Sequence, residues 1–223
     1  MKKPVDSADE KPLRDEPGAR DILKRAYEST YRWGRDFRGF EADLEMMFNE
    51  NPVRGSVRAA LPDEIRVALP DPEAAKWAEN QIGMMIAHRA PRDFETSDGR
   101  YVLTLDAEDA HPLGRMVRIH GDGLDSRYRV KEGRIVQIHR AMGPVRFTIN
   151  VQDAIRTEDG RFLNTRYIVY YFNPKGDLKQ VDSFNDEPLI VEGAYLPGRR
   201  RLFQSEAGEV SVREMNFRNH RLI

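Results

Sequence analysis

The chain has no cysteine, which removes disulfides, thiolate nucleophiles and cysteine-ligated zinc or iron–sulfur centres. No apolar run reaches the length of a membrane-spanning helix, so none is expected. Neither sign of charge dominates, because 36 Lys and Arg stand against 37 Asp and Glu. General nucleic-acid binding rests on clustered positive charge, so no nucleic-acid partner is expected. Serine never occupies a Gly-x-Ser-x-Gly turn and no Gly-x-Gly-x-x-Gly opens a helix. The usual signatures of acyl transfer and dinucleotide binding are therefore missing. Behind Met1-Lys2-Lys3 there is no apolar segment. No secretion signal is visible, and the cytoplasm is the expected compartment.

What is present is a soluble composition, 39% hydrophobic and 33% charged, still apolar enough to bury a core. Its central stretch runs from Asp71 to Arg89. Asp71 suits an N-cap and Pro72 the first helical position, where a missing N–H costs nothing. His88 and Arg89 place positive charge at the negative end of the dipole, and Pro91 stops the run. Ala74, Trp77, Ala78, Ile82, Met85 and Ile86 form a broad apolar stripe that Met84 widens. A stripe of that width is expected to be buried on more than one side, as against the inside of a curved sheet.

The rest of the chain reads as strand with one further helix. Residues 1–17 are charged and proline-punctuated, and are expected to form a flexible tail ahead of a single domain over 18–223. Helical periodicity runs from Ala19 to Trp33, with Gly34 as the stop, and this helix is expected on the outer face or the end of a sheet. Phe40, Ala42, Leu44, Met46 and Phe48 then alternate strictly, which predicts a half-buried strand. Val57 to Leu61 and Ile65 to Leu69 continue the pattern. Glycine closes five short polar tips, at Gly99, Gly133, Gly160, Gly176 and Gly208. Each suits a type I turn followed by a left-handed residue, and together they predict an antiparallel meander.

Candidate chemistry is sparse. The five histidines show no close metal-ligand spacing, and the acidic stretch Asp106 to Asp125 lacks a calcium-loop pattern. No metal or cofactor is expected. Arg199-Arg200-Arg201, the one basic cluster, reads as an exposed edge or as a contact for anionic headgroups on a membrane surface. Tyr167, Tyr170, Tyr171 and Phe172, with Trp77, Met84 and Met85, fit either a filled core or an adaptable apolar pocket.

Tyr31-Arg32-Trp33, Phe37-x-x-Phe40-x-Ala42, Gly55-x-Val57, His88-Arg89 before Phe94-Glu95, Gly193-x-Tyr195-Leu196-Pro197 and Asn219-His220-Arg221-Leu222 together resemble an uncharacterised family best known from cyanobacteria. The order of elements is also similar, more distantly, to the lipoprotein-carrier fold of outer-membrane lipoprotein sorting. That resemblance implies an α+β architecture. A single strongly curved antiparallel sheet, an incomplete β-barrel, would carry an N-terminal helix and a second helix on its concave face.

The function expected from this picture is non-catalytic binding of a lipophilic small molecule or a hydrophobic partner segment. The groove residues would be Trp77, Met84, Met85, His88, Arg89, His139 and Tyr170. The alternatives are a small-molecule enzyme using His88, Arg89, His139 and Tyr170 in the same cavity, or a scaffold docking on a protein complex or membrane surface.

Overall fold

A computed structural model describes residues 13–48, 51–107 and 110–223. Twelve antiparallel strands form one open sheet in the order β3-β2-β1-β12-β11-β10-β9-β8-β7-β6-β5-β4. They are β1 (Gly39–Phe48), β2 (Asn51–Ala60), β3 (Glu64–Ala68), β4 (Val102–Leu105), β5 (Arg115–His120) and β6 (Arg127–Lys131), then β7 (Arg134–Met142), β8 (Val145–Arg156), β9 (Phe162–Phe172), β10 (Leu178–Val191), β11 (Ala194–Glu206) and β12 (Glu209–Leu222). From β4 onward each strand pairs with the next, and β12 closes beside β1. The one long crossing carries the chain from edge strand β3 to the opposite edge, β4, through a helix.

That helix is α2 (Pro72–Arg89), and the other is α1 (Pro17–Glu28). Asp71 caps α2 as its sequence implied, its side chain accepting from the N–H groups of Glu73 and Ala74 at 2.8 and 3.1 Å. Helix α1 ends earlier than its periodicity suggested. Thr30 forms a bridge to Phe162, and the Tyr31 N–H donates to the Phe162 carbonyl at 2.8 Å, so residues after Ser29 serve the sheet instead.

Register shows which face the helices share. Met46 lies opposite Met215, which lies opposite Arg200, and Arg200 opposite Asp186. Two residues along, Leu202, Phe184, Tyr167 and Val151 follow one another across β11 to β8. Val169, Ile149, Ile138, Tyr128, Val117 and Leu105 continue that face from β9 to the β4 edge. Strand side chains alternate between faces, so these residues all point one way. Both helices pack on this inner face of the curved sheet. The N-terminal helix is therefore not on the outer side; it sits at the β4 end, against β4, β6 and β7.

Two separate cores result. Under α2, Ala74, Ala78, Ile82, Met85 and Ile86 pack with Phe40, Leu44, Met46, Val57, Leu196, Met215 and Phe217. Under α1, Ala19, Leu23, Ala26 and Tyr27 pack with Phe94, Leu103, Val117, Ile119 and Tyr128. Each sheet edge is also satisfied by carboxylates. Glu79 of α2 accepts from the Val67 N–H of β3 at 3.2 Å. Asp15 and Glu16 accept from Leu103 and Leu105 N–H of β4, each at 2.9 Å. Unpaired edge N–H groups invite pairing with another chain, and these contacts close them. Most of the predicted tail lies outside the described residues.

The turns divide into kinds. Gly160 and Gly176 close type I turns with φ of 82° and 90°, as expected. At Glu132-Gly133 and Ala207-Gly208 both residues are left-handed, which makes tight type I′ hairpins in place of the predicted bulged turns. Residues Asp98–Arg100 form a short 3-10 helix before β4 and join no hairpin. Gly55 meets a different need: a Cβ there would fall 1.7 Å from the Ala68 carbonyl oxygen, so only glycine lets β3 approach.

Candidate functional site

A sheet of twelve strands measures about 53 Å across its contour at about 4.8 Å per strand. Helices are only about 10–12 Å in diameter. Two of them, one toward each end, cannot blanket such a face. Left between them are parts of β8 and β9 with the stretch of β10 around Phe184. Their inner side chains form a third, smaller cluster in which Val169, Phe184 and Leu202 are buried and Phe147, Ile149, Tyr167 and Tyr171 are only partly covered. Trp77 reaches from α2 to pack on the same cluster. It also packs near Phe48, with ring centroids 6.0 Å apart, and the Arg213 guanidinium stands 5.3 Å from its ring. The result is a partly covered aromatic surface, the floor of a candidate groove with one flank of α2 as its wall.

Along that flank the one exposed large apolar side chain is Met84, 41% exposed, followed by His88, also exposed. Met85 is 4% exposed and belongs to the core beneath the helix, so it is not a groove residue. His139 and Tyr170 also fall outside the groove. Each neighbours an inward residue in its strand, and both lie opposite Thr148 on the outer face. There His139 is hydrogen-bonded to Thr148 Oγ1 at 2.8 Å and to Gln137 Oε1 at 2.7 Å. The four polar groups of the enzyme alternative are thus split between two faces. A one-residue step along a strand reverses the side on which a residue stands, and that step decided both cases.

At the C-terminal end of α2 the groove becomes cationic. Arg200 is 3% exposed and donates from Nε and Nη2 to the two Asp186 oxygens at 2.8 and 2.7 Å, and from Nη2 to the Tyr167 hydroxyl at 2.8 Å. Its Nη1 lies 3.4 Å from Gln81 Oε1. Burial works against its charge, but Tyr167 and Asp186 outweigh that and hold it protonated. Tyr167 itself is pushed up to about 12 by burial. Neither the edge nor the headgroup reading fits Arg200. Arg199 and Arg201 pair on the outer face with Glu187 and Glu214, while the middle arginine points inward from a central strand. Strand alternation alone would have flagged it.

Arg89 is 5% exposed, and its Nη1 has no hydrogen-bond partner. Burial lowers its pKa, with Asp186 opposing and Arg200 reinforcing that shift. His88 keeps an accessible side chain at the end of α2. The surrounding protein pulls its pKa down to about 4, and Arg92, Arg200, Arg140 and Arg89 all push the same way. Arg140 stands opposite Phe147 at the margin of the floor and donates to the Tyr128 hydroxyl. Near it, burial raises the pKa of Asp98, against the pull of Arg140, Arg92 and Arg32. No group of three or more His, Asp or Glu able to hold a metal ion occurs among the described residues. Glu108 and Asp109 of the acidic stretch lie outside them, and Asp106 pairs with Arg118.

Two clefts lie apart from the groove, of about 330 and 540 Å3. The first is on the outer face between Glu41, Arg58, Arg66 and Arg221. The second opens between the end of α1 and residues 91–95, with Arg32, Arg35, Arg92 and Arg161 on its lining. Both are open and largely charged, and neither is an apolar chamber.

The chain belongs to a family described as protein of unknown function (DUF3386), whose model matches residues 14–223. No curated protein sequence matches it. Among solved structures it is similar to the LolA superfamily protein NE2245 from Nitrosomonas europaea, with 12% identity, a TM-score of 0.36, and coverage of 92% of this chain and 93% of that one. It is also similar to a domain described as an outer membrane lipoprotein-sorting protein, from Vibrio parahaemolyticus. There the identity is 10%, the TM-score 0.40, and the coverage 92% of each chain. Scores at this level leave the architecture to be read from the chain's own sheet, and no function passes from either protein. No helix among the described residues is long and apolar enough to cross a membrane.

Proposed function

We propose that this protein is a non-catalytic binding protein that holds a lipophilic small molecule in the groove between its two helices. The observation that carries this reading is the partly covered aromatic floor of β8 and β9, where Phe147, Tyr167 and Tyr171 stand open beside Trp77. Exposed apolar surface of this kind is unfavourable in water unless something else covers it. Aromatic and methionine side chains adapt to the shape of an apolar guest, and Met84 on the rim supplies that adaptability. Met85 takes no part, and the contact residues proposed from the expected set are Trp77, Met84, His88 and Arg89. A cytoplasmic location belongs to the same proposal and is checked by fractionating the native cell.

The test is extraction of the protein, purified from its own host, followed by mass spectrometry of the organic phase. A lipophile present in roughly equal amount with the protein, and lost from a Phe147→Ser/Tyr171→Ser variant, is the expected result. A clean extract together with no rise in Tm from any lipophile tested ends the reading.

A further inference from the structure

Beneath the C-terminal turn of α2 the buried charges do not balance. Arg89 and Arg200 bring two positive charges, and Asp186 is the buried carboxylate that acts on both. Arg200 takes both Asp186 oxygens in a two-point contact. Arg89 is left with an Nη1 that donates to nothing. An unpaired buried guanidinium is among the most costly groups a fold can carry, and natural interiors keep such charges only with a partner. Arg200 donates to the hydroxyl of Tyr167, whose ring belongs to the groove floor, and Arg89 directly follows His88 at the end of α2. The unbalanced charge therefore adjoins the groove.

We propose that Arg89 is the anion subsite of the groove, and that the ligand is a long-chain amphiphile with an anionic headgroup, carboxylate or phosphate. This rests on the groove being a lipophile site, as proposed above. The chain of the guest covers the aromatic floor, and its headgroup takes the donors of Arg89 at the end of α2. Arg200 holds Asp186 in place, so that this carboxylate is not free to swing across and satisfy Arg89 itself. A guanidinium suits either headgroup because its fork of donors matches two oxygens at once.

The experiment uses the delipidated full chain and three probes below their micelle concentrations: oleate, oleoyl lysophosphatidate and oleyl alcohol, which shares the chain and lacks the charge. Binding is read from the quenching of tryptophan fluorescence. An anionic probe is expected to bind at least about tenfold more tightly than the alcohol, the scale of one charge-assisted hydrogen bond. In Arg89→Met that ratio should fall to about threefold or less, and the ligand-free variant should melt no lower than the parent. Should the methionine variant fail to fold, Arg89→Gln, which keeps a hydrogen-bond donor and removes the charge, takes its place and should likewise lower the ratio to about threefold or less. The anion with the larger Arg89-dependent ratio identifies the headgroup. Equal binding of all three probes, or a ratio unmoved by Arg89→Met, overturns the subsite and leaves the lipophile groove standing. Failure of all three to bind removes both.

Discussion

The ends of the sheet and its middle follow different rules although they are one continuous surface. At the α2 end a full helix face is spent on the core, and residues such as Leu44, Ile82 and Met215 are shut off completely from solvent. In the middle, around Phe147, Ile149 and Tyr171, no helix closes the face, and the same kind of inward apolar side chain remains half open. The difference teaches that inward orientation is not burial. A strand sets which face a residue takes, but only a covering element removes it from water, and two helices are too narrow to cover twelve strands.

Truncating one isoleucine in each region is the most direct way to break that contrast. Ile82→Ala at the covered end should destabilise the fold by about 2–5 kcal/mol in urea unfolding. Ile149→Ala in the floor should cost less than about 1.5 kcal/mol, because less of its area leaves water on folding. Equal losses would mean that the middle is as well packed as the end. Next in size is the ligand-free Arg89→Met variant, expected to gain about 1–3 kcal/mol, the range for a buried polar group without a partner. A loss of similar size would mean that Arg89 holds the fold together, and that its cationic surroundings are structural.

The smallest effect concerns protons. His88 has a folded pKa of about 4, below its ordinary value near 6.5, so the unfolded chain takes up a proton before the folded one does. Its contribution to stability is present above about pH 6.5 and is lost as the pH falls toward 4. His139 and His220, also lowered by burial, add in the same sense. Asp98 and Asp182, raised by burial, act oppositely and favour the folded state on acidification. NMR titration isolates His88: its ring resonances should shift with a midpoint near pH 4. That midpoint should move up when an anionic amphiphile is bound, because a negative headgroup offsets the four arginines. A midpoint near 6.5 in the ligand-free protein would show the groove end to be as wet as open surface.

The histidines and arginines also show where reading the chain reached its limit. The place of His88 and Arg89 at the end of α2 was legible because the helix has a clear cap, a clear stop and an unbroken stripe between them. His139 and Tyr170 were not, because each stands one residue away from an inward neighbour. Arg200 was hidden inside a triplet that looks like surface charge until alternation is applied to it. The tight turns at Glu132-Gly133 and Ala207-Gly208 differ from the bulged ones at Gly160 and Gly176 in the backbone of the residue before the glycine. Polar composition does not distinguish those two conformations.

Local periodicity, capping and turn residues by themselves determined that this chain makes two helices and a long antiparallel meander, since those signals act over a few residues at a time. Only the tertiary structure decided that both helices share one face, that the middle strands stay partly uncovered, and that Arg200 pairs with Asp186 on the inner face. These depend on register summed across twelve strands and on how much area a helix can cover, and no short stretch of sequence carries either quantity.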